Sequence, residues 1–337
     1  FKNGATVSAS AGGVSVIGQN AVGVRVTGDV AGEFLIDGSV TATGFAKGSI
    51  SNYIDPDLVT STTVLVNHDP DDLLLGGPAV EVRSNLARGL LVNGAAVGGV
   101  DPTDTVKDVV QDFNENRSSG SLSSQGSAPA LLVQAQDGVA GESITLGQVR
   151  ETIRDTLDDD ADSNITETIG VFNYDYGLMN RGSIISTGVN MGFTSTGVKI
   201  AGSADGTHTT TVAGGVFNGS IITSSAFEAN ATGMQIGAGA ITPQLVNAGT
   251  IRGDVLTENT DTAFGVRIEA GASVGSVTNT GLIAATVRGW DGNATAFQDL
   301  SGSVATFTNN SRVGAGQTDD DTTDTITSGL GRSIALD

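Results

Sequence analysis

Cysteine is absent from the 337 residues, so neither a disulfide framework nor a thiolate metal site can hold this chain together. A thiol-free chain fits the cytosol, and it fits equally a protein that must stay unfolded until it has been exported. Aromatic residues make up only 4% and proline occurs 6 times. The first leaves a core of small aliphatics, and the second excludes a Pro-rich or collagen-like chain. Charged residues are sparse at 16% and mean hydropathy is near zero, which argues against intrinsic disorder. No apolar run approaches the roughly 18 residues of a transmembrane helix.

Positive charge is the other shortage. Sixteen Lys and Arg stand against 37 Asp and Glu, a net charge of −21. Such a surface repels nucleic acid and anionic headgroups, and suits an extracellular setting or cation binding. Histidine occurs twice, at His68 and His208, neither beside a Gly-x-Ser-x-Gly or comparable nucleophile motif. The glycine pairs Gly76-Gly77 and Gly98-Gly99 lack the Lys-Ser/Thr ending of a phosphate loop. The chain opens on Phe1-Lys2 rather than Met, which reads as a processed product whose export signal has gone.

What is present is a repeat. Residues 247–283 open on Asn247-Ala-Gly249-Thr-Ile251 and close on Asn279-Thr-Gly281-Leu-Ile283. Between them lie Phe264-Gly265-Val266-Arg267-Ile268 and Val274-Gly-Ser-Val277. The opening asparagine recurs as Asn180, Asn218, Asn247, Asn279 and Asn309, a period of about 30 residues. Each unit holds short alternating strands bounded by Gly, Asn or Thr. Alone, a unit has unpaired edges and a single apolar stripe; stacked, it pairs every backbone group and buries a continuous core. Stacking also sets like above like, so the asparagines are expected to form an amide ladder at a corner. The glycine next to each is expected to supply positive φ there.

The reading is one all-β solenoid domain over 1–337 with two short helical insertions, at 101–127 and 143–170. In the first, Val106, Val109, Val110 and Phe113 follow helical spacing, and 114–126 is a polar loop. In the second, Val149, Ile153 and Leu157 share one face of a helix over 143–157. Roughly ten turns at about 4.8 Å each predict a rod on the order of 50 Å long. The second insertion carries the best candidate for chemistry. Asp158, Asp160, Asp162 and Asn164 stand at positions 1, 3, 5 and 7 of a loop, as oxygen ligands do around calcium. Ser163 replaces the usual glycine at position 6, Ile169 the usual glutamate at position 12, and Glu167 stands in from position 10. The acids Asp254, Glu258, Asp261 and Glu269 are available for a carboxylate pair on a solenoid face.

The Asn-x-Gly-x-Ile, Ala/Thr-x-Gly-Val-x-Ile and Gly-Ala-x-Val units over 1–100 and 171–316 resemble the passenger domains of bacterial autotransporters of alphaproteobacterial, sphingomonad type. The resemblance implies a right-handed parallel β-helix displayed or released outside the cell. The C-terminal translocator barrel of that family has no counterpart in this sequence. The functional expectation is a non-catalytic structural or adhesive surface protein. Its partners would be other copies of itself or a cell-surface or glycan ligand, with no nucleic acid, no membrane span and calcium as the one cofactor. The alternative is a polysaccharide lyase or hydrolase on the same scaffold.

Overall fold

The computed structural model describes residues 7–8, 12–44, 74–94, 119–138, 140–154, 168–257, 259–289, 291–318 and 332–337. Among them the chain is all-β, without helices. It forms three long parallel sheets, here A, B and C, of 10, 8 and 8 strands. The path visits A, B and C in turn and then starts again. One coil runs Leu178–Asn180 (A), Ser183–Gly188 (B), Ser195–Ala201 (C) and Thr210–Val212 (A). The next runs Val216–Asn218, Ile221–Phe227, Ala231–Ile236 and the long strand Ala240–Asn247, which pairs first with Thr210–Val212 of the coil before and then with Val216–Asn218. Among the described residues this is a parallel β-solenoid of eight coils, as the eight-stranded sheets require. The count falls below ten because residues 45–73 and 95–118 lie between strands of one coil and contribute none described.

Register explains the sequence. Val40, Leu122, Ile184, Ile222, Ile251 and Ile283 lie one above another in sheet B, each at most 1% exposed. Val80, Leu131, Val198, Met234 and Val266 do the same in sheet C. Each fully buried aliphatic contributes about 1.5–3 kcal/mol, and stacking lets every coil use the same stripe.

The expected amide ladder is present. Asn180 Nδ2 donates to Asn218 Oδ1 at 2.8 Å, Asn218 to Asn247 at 2.7 Å, Asn247 to Asn279 at 2.7 Å, and Asn279 to Asn309 at 2.8 Å. Each amide also donates to a corner carbonyl, such as Leu282 O at 3.1 Å from Asn247. Upstream the register continues to Val92, which offers no donor, and the buried Asn180 Oδ1 has no partner.

The neighbouring glycines have a different role from the one expected. Gly182, Gly249 and Gly281 are not among the positive-φ residues. They are places where backbones nearly touch: a Cβ would lie 2.1 Å from Gly120 O, 2.0 Å from Ser220 O and 2.0 Å from Gly249 O, respectively. The glycines of the sheet C strands Ala231–Ile236 and Thr262–Ile268 serve the same end. At Gly233 and Gly265 a Cβ would fall 2.7 Å from Gly265 O and 2.4 Å from Ala296 O. Sheets B and C approach so closely here that the facing column in B is Ser186, Ser224, Gly253 and Ala285. The buried serines bond one another, Ser224 Oγ to Ser195 Oγ at 2.8 Å and Ser195 Oγ to Ser186 Oγ at 2.9 Å.

The helical reading of 143–157 is overturned where the chain is described. Ile144–Leu146 stacks in sheet A, and Arg150–Arg154 pairs antiparallel with Thr168–Asn173. Val149, Glu151 and Ile153 are buried while Arg150 and Thr152 are partly exposed, the period of a strand. A buried glutamate in the apolar register hides that alternation. The polar loop expected over 114–126 is in part the strand Ser121–Gln125 of sheet B, where Ser124 points inward and bonds Ser186 Oγ at 3.0 Å. Residues 101–118 and 155–167 lie outside the described residues.

Removing one rung of the ladder leaves a buried donor and a buried acceptor unpaired. Asn247→Ala is expected to cost about 3 kcal/mol and Asn309→Ala, at the exposed end, less than about 1 kcal/mol. Urea unfolding monitored by circular dichroism checks the difference.

Candidate functional site

The hairpin of Arg150–Arg154 and Thr168–Asn173 is the one antiparallel pair among the described residues. It belongs to no coil and lies against the outside of sheet A. There Leu35, Leu91 and Met179, one above another, cluster with Val149, and Tyr174, Tyr176 and Phe217 join from the edge. Phe172 stacks on Tyr174 at 6.4 Å, and Tyr176 tilts against Phe217 at 5.3 Å. In a chain so poor in aromatics, this is a local concentration.

Beneath the hairpin runs a polar chain. Asn93 Nδ2 donates to Asp37 at 2.7 Å, and Arg181 donates to Asn93 Oδ1 at 3.0 Å. Arg181 pairs with Glu151 at 2.8 Å, and its guanidinium lies 5.3 Å from the Tyr174 ring centre. Tyr174 Oη donates to Glu151 at 2.7 Å and accepts from Arg181 at 3.1 Å. Glu33 accepts the Thr152 hydroxyl at 2.5 Å and lies 3.3 Å from Arg150 Nε. Burial pushes the Asp37 carboxyl above the usual range; the Asn93 hydrogen bond opposes this, the Glu151 charge adds to it, and Arg181 opposes it.

Two carboxylates, one of raised pKa, are what proton-transfer chemistry requires. Glu151, however, is 1% exposed and engaged by Arg181 and Tyr174. It could act as a base only by giving up those contacts, and losing either would leave a buried charge short of compensation. The arrangement is built to fasten the hairpin to sheet A. Glu81 is held alike, at 2.5 Å from Arg25 and 2.7 Å from Arg83.

The structure disperses the other acids. Asp254 sits on the outer face of sheet B, 2.6 Å from Arg252. Asp261 accepts the Thr257 hydroxyl at 2.7 Å, at the corner before sheet C. Glu269 accepts Gln235 at 2.9 Å and lies 3.3 Å from Arg267, where sheet C ends. Glu258 and His68 lie outside the described residues, as do the calcium candidates Asp158, Asp160, Asp162, Asn164 and Glu167. Among the described residues no group of three or more His, Asp or Glu could hold a metal ion. His208 Nε2 lies 3.0 Å from Gly138 O. Nearby, Asp205 accepts Gly138 N at 2.7 Å and Asp137 accepts Ala204 N at 2.5 Å, so two acidic loops clasp adjacent coils. Hydroxyls of Ser203 and Thr207 hold the Asp205 carboxyl well below the usual range.

A feature that motif reading passes over is the last coil. Thr306–Asn309, Arg312–Thr318 and Ser333–Leu336 each close their sheet, and among the described residues nothing pairs with their outer edges. Val304, Phe307, Val313 and Ala315 continue the core but are only partly buried. Phe307 meets Phe297 edge-on at 4.8 Å. The sequence signal for this face is the fading of the repeat after Asn309.

No family model matches this sequence, and no curated protein or solved structure matches it either.

A carboxyl whose folded pKa is raised contributes stability below its unfolded pKa and loses that contribution as pH rises through the folded value. Asp37→Asn keeps an oxygen to accept from Asn93 and removes the ionisation. The variant is expected to melt above the parent at pH 7 and with it near about pH 3, below the ordinary aspartate range. Thermal melts across that interval check the crossing.

Proposed function

We propose that this chain is a non-catalytic structural or adhesive surface protein, a right-handed parallel β-helix of the autotransporter passenger type. It works outside the bacterial cell as a rod that associates with further copies of itself. The supporting observation is the last described coil: among the described residues nothing pairs with its three outer strand edges, which surround a partly exposed apolar patch of Val304, Phe307, Val313 and Ala315. Open edges of this kind recruit strands, and a parallel coil added there keeps the same register. The buried carboxylates Glu33, Glu81 and Glu151 support the non-catalytic reading, because each braces one element against another. Calcium enters as part of the proposal: Asp158, Asp160, Asp162, Asn164 and Glu167 fall between the two strands of the hairpin, so an ion held there would tie that hairpin to itself.

A polysaccharide-active enzyme is the second reading. The aromatics Phe172, Tyr174 and Tyr176 beside Asp37 and Glu151 favour it. Cleavage of a glycan by the purified protein, lost in Glu151→Gln, would replace the structural reading.

Negative-stain microscopy with sedimentation, in calcium and in chelator, tests the proposal. Filaments or end-to-end rods that grow with protein concentration are expected, reduced to single rods by Val313→Glu at the open end. Single rods at every concentration and in both buffers would overturn self-association, and a melt unchanged by chelator would remove calcium.

A further inference from the structure

The outer face of sheet B carries an unusual balance of charge. Its eight strands contain three arginines, Arg252, Arg288 and Arg312, and a single acid, Asp254. On a chain of net charge −21 this is a local excess of positive charge. The remaining outward positions in the upstream coils are mostly serine and threonine: Ser39, Thr41 and Thr43, then Ser121 and Ser123, then Ser183 and Thr187.

Within this face lies a groove of about 220 Å³. Its outward residues come from three successive coils. Ser225, Asp254 and Thr286 form one row along the stack, and Phe227, Leu256 and Arg288 form the next. Arg252 is occupied: it lies 2.6 Å from Asp254 and reaches the Thr286 hydroxyl at 3.4 Å. Arg288 is exposed and has no hydrogen-bond or ion-pair partner among the described residues. Its charge nevertheless acts on Asp254. The groove therefore offers an apolar side in Phe227 and Leu256, a hydroxyl and carboxylate edge in Ser225, Thr286 and Asp254, and one uncommitted guanidinium.

That combination matches one ligand chemistry. A sugar ring has an apolar C–H face and an edge of hydroxyls, and a uronate adds a carboxylate that an arginine fork binds with two parallel hydrogen bonds. The volume lies below the roughly 300–1,000 Å³ of sites that enclose a drug-sized molecule, so it suits one ring of a longer chain lying along the open sheet. We propose that this groove binds a carboxylated, uronate-containing polysaccharide, with Arg288 taking the carboxylate and Leu256 lying under the ring. This deepens the adhesive reading above by naming a ligand class, and it rests on that reading only for its biological setting.

The test is binding of the whole chain to polygalacturonate, followed by calorimetry and gel retardation, beside its methyl-esterified form, neutral dextran and a sulfated glycan. Binding of the free-acid polymer is expected, weakened by salt and at least about tenfold weaker in Arg288→Gln. Arg312→Gln, on the same face but outside the groove, should bind as the parent does. Circular dichroism melts of both variants verify that the fold is kept. Equal binding of dextran or the esterified polymer, stronger binding of the sulfated glycan, or an Arg288→Gln variant indistinguishable from the parent would overturn the assignment. Failure here with rods still assembling would leave the surface-protein reading in place. Shortening of the bound polymer would leave the groove and overturn the non-catalytic reading.

Discussion

In-register parallel stacking governs every other choice in this molecule. Each coil places its residues one strand spacing, about 4.8 Å, from their equivalents in the next, so a side chain's main neighbour is its own counterpart. An inward polar residue is then costly unless its counterpart can satisfy it, because a buried unpaired group loses about 1–3 kcal/mol. Asparagine solves this by being donor and acceptor at once, and the row from Asn180 to Asn309 is the result. Serine solves it differently, by zigzagging between sheets through Ser186, Ser195 and Ser224. Between sheets B and C no larger side chain fits, which is why Gly233, Gly253 and Gly265 stand where a valine would otherwise add to the core.

The hairpin over sheet A departs from this rule, and its energetics change accordingly. Its residues have no counterparts above and below, so it is fixed by apolar contacts with Leu35, Leu91 and Met179 and by ionic contacts through Arg181 and Glu151. A buried ion pair adds little net stability over an apolar substitute, yet breaking it by removing one partner is expensive. It specifies where the hairpin sits more than how tightly it is held. The same network leaves Asp37 with a charge that burial disfavours.

Stacking also decides how much of the structure was legible in the sequence. The solenoid and the ladder could be read because repetition at about 30 residues states the register outright. The glycine beside each ladder asparagine was legible as a position but not as a cause, since a left-handed turn and a close backbone contact both call for glycine. Residues 143–154 were misread because Glu151 occupies an apolar position and leaves Val149 and Ile153 four residues apart, which is also a helical spacing. Ser121–Gln125 has one apolar residue, and its strand depends on Ser124 meeting Ser186, a partner 62 residues away. The sheet B groove had no linear signature at all: Phe227, Leu256 and Arg288 become neighbours only through pairing across coils. The acids weighed from sequence as a set, Asp254, Asp261 and Glu269, were separated by the same geometry onto different faces.

The ladder has a direction, and direction makes the two ends of the stack chemically unequal. Every Nδ2 points toward the later coil, so the row begins with an acceptor and ends with a donor. At its start, Asn180 Oδ1 meets Val92 and has no partner, a cost that the four amide bonds below it outweigh. At its end, the Asn309 amide donates to Ser311 O at 3.1 Å, the contact to its own corner that Asn218, Asn247 and Asn279 also make. Among the described residues, what those three have and Asn309 lacks is an acceptor in a following coil. The two ends of the row therefore differ: it opens on a buried acceptor without a partner and closes on an amide whose printed acceptor lies in its own corner.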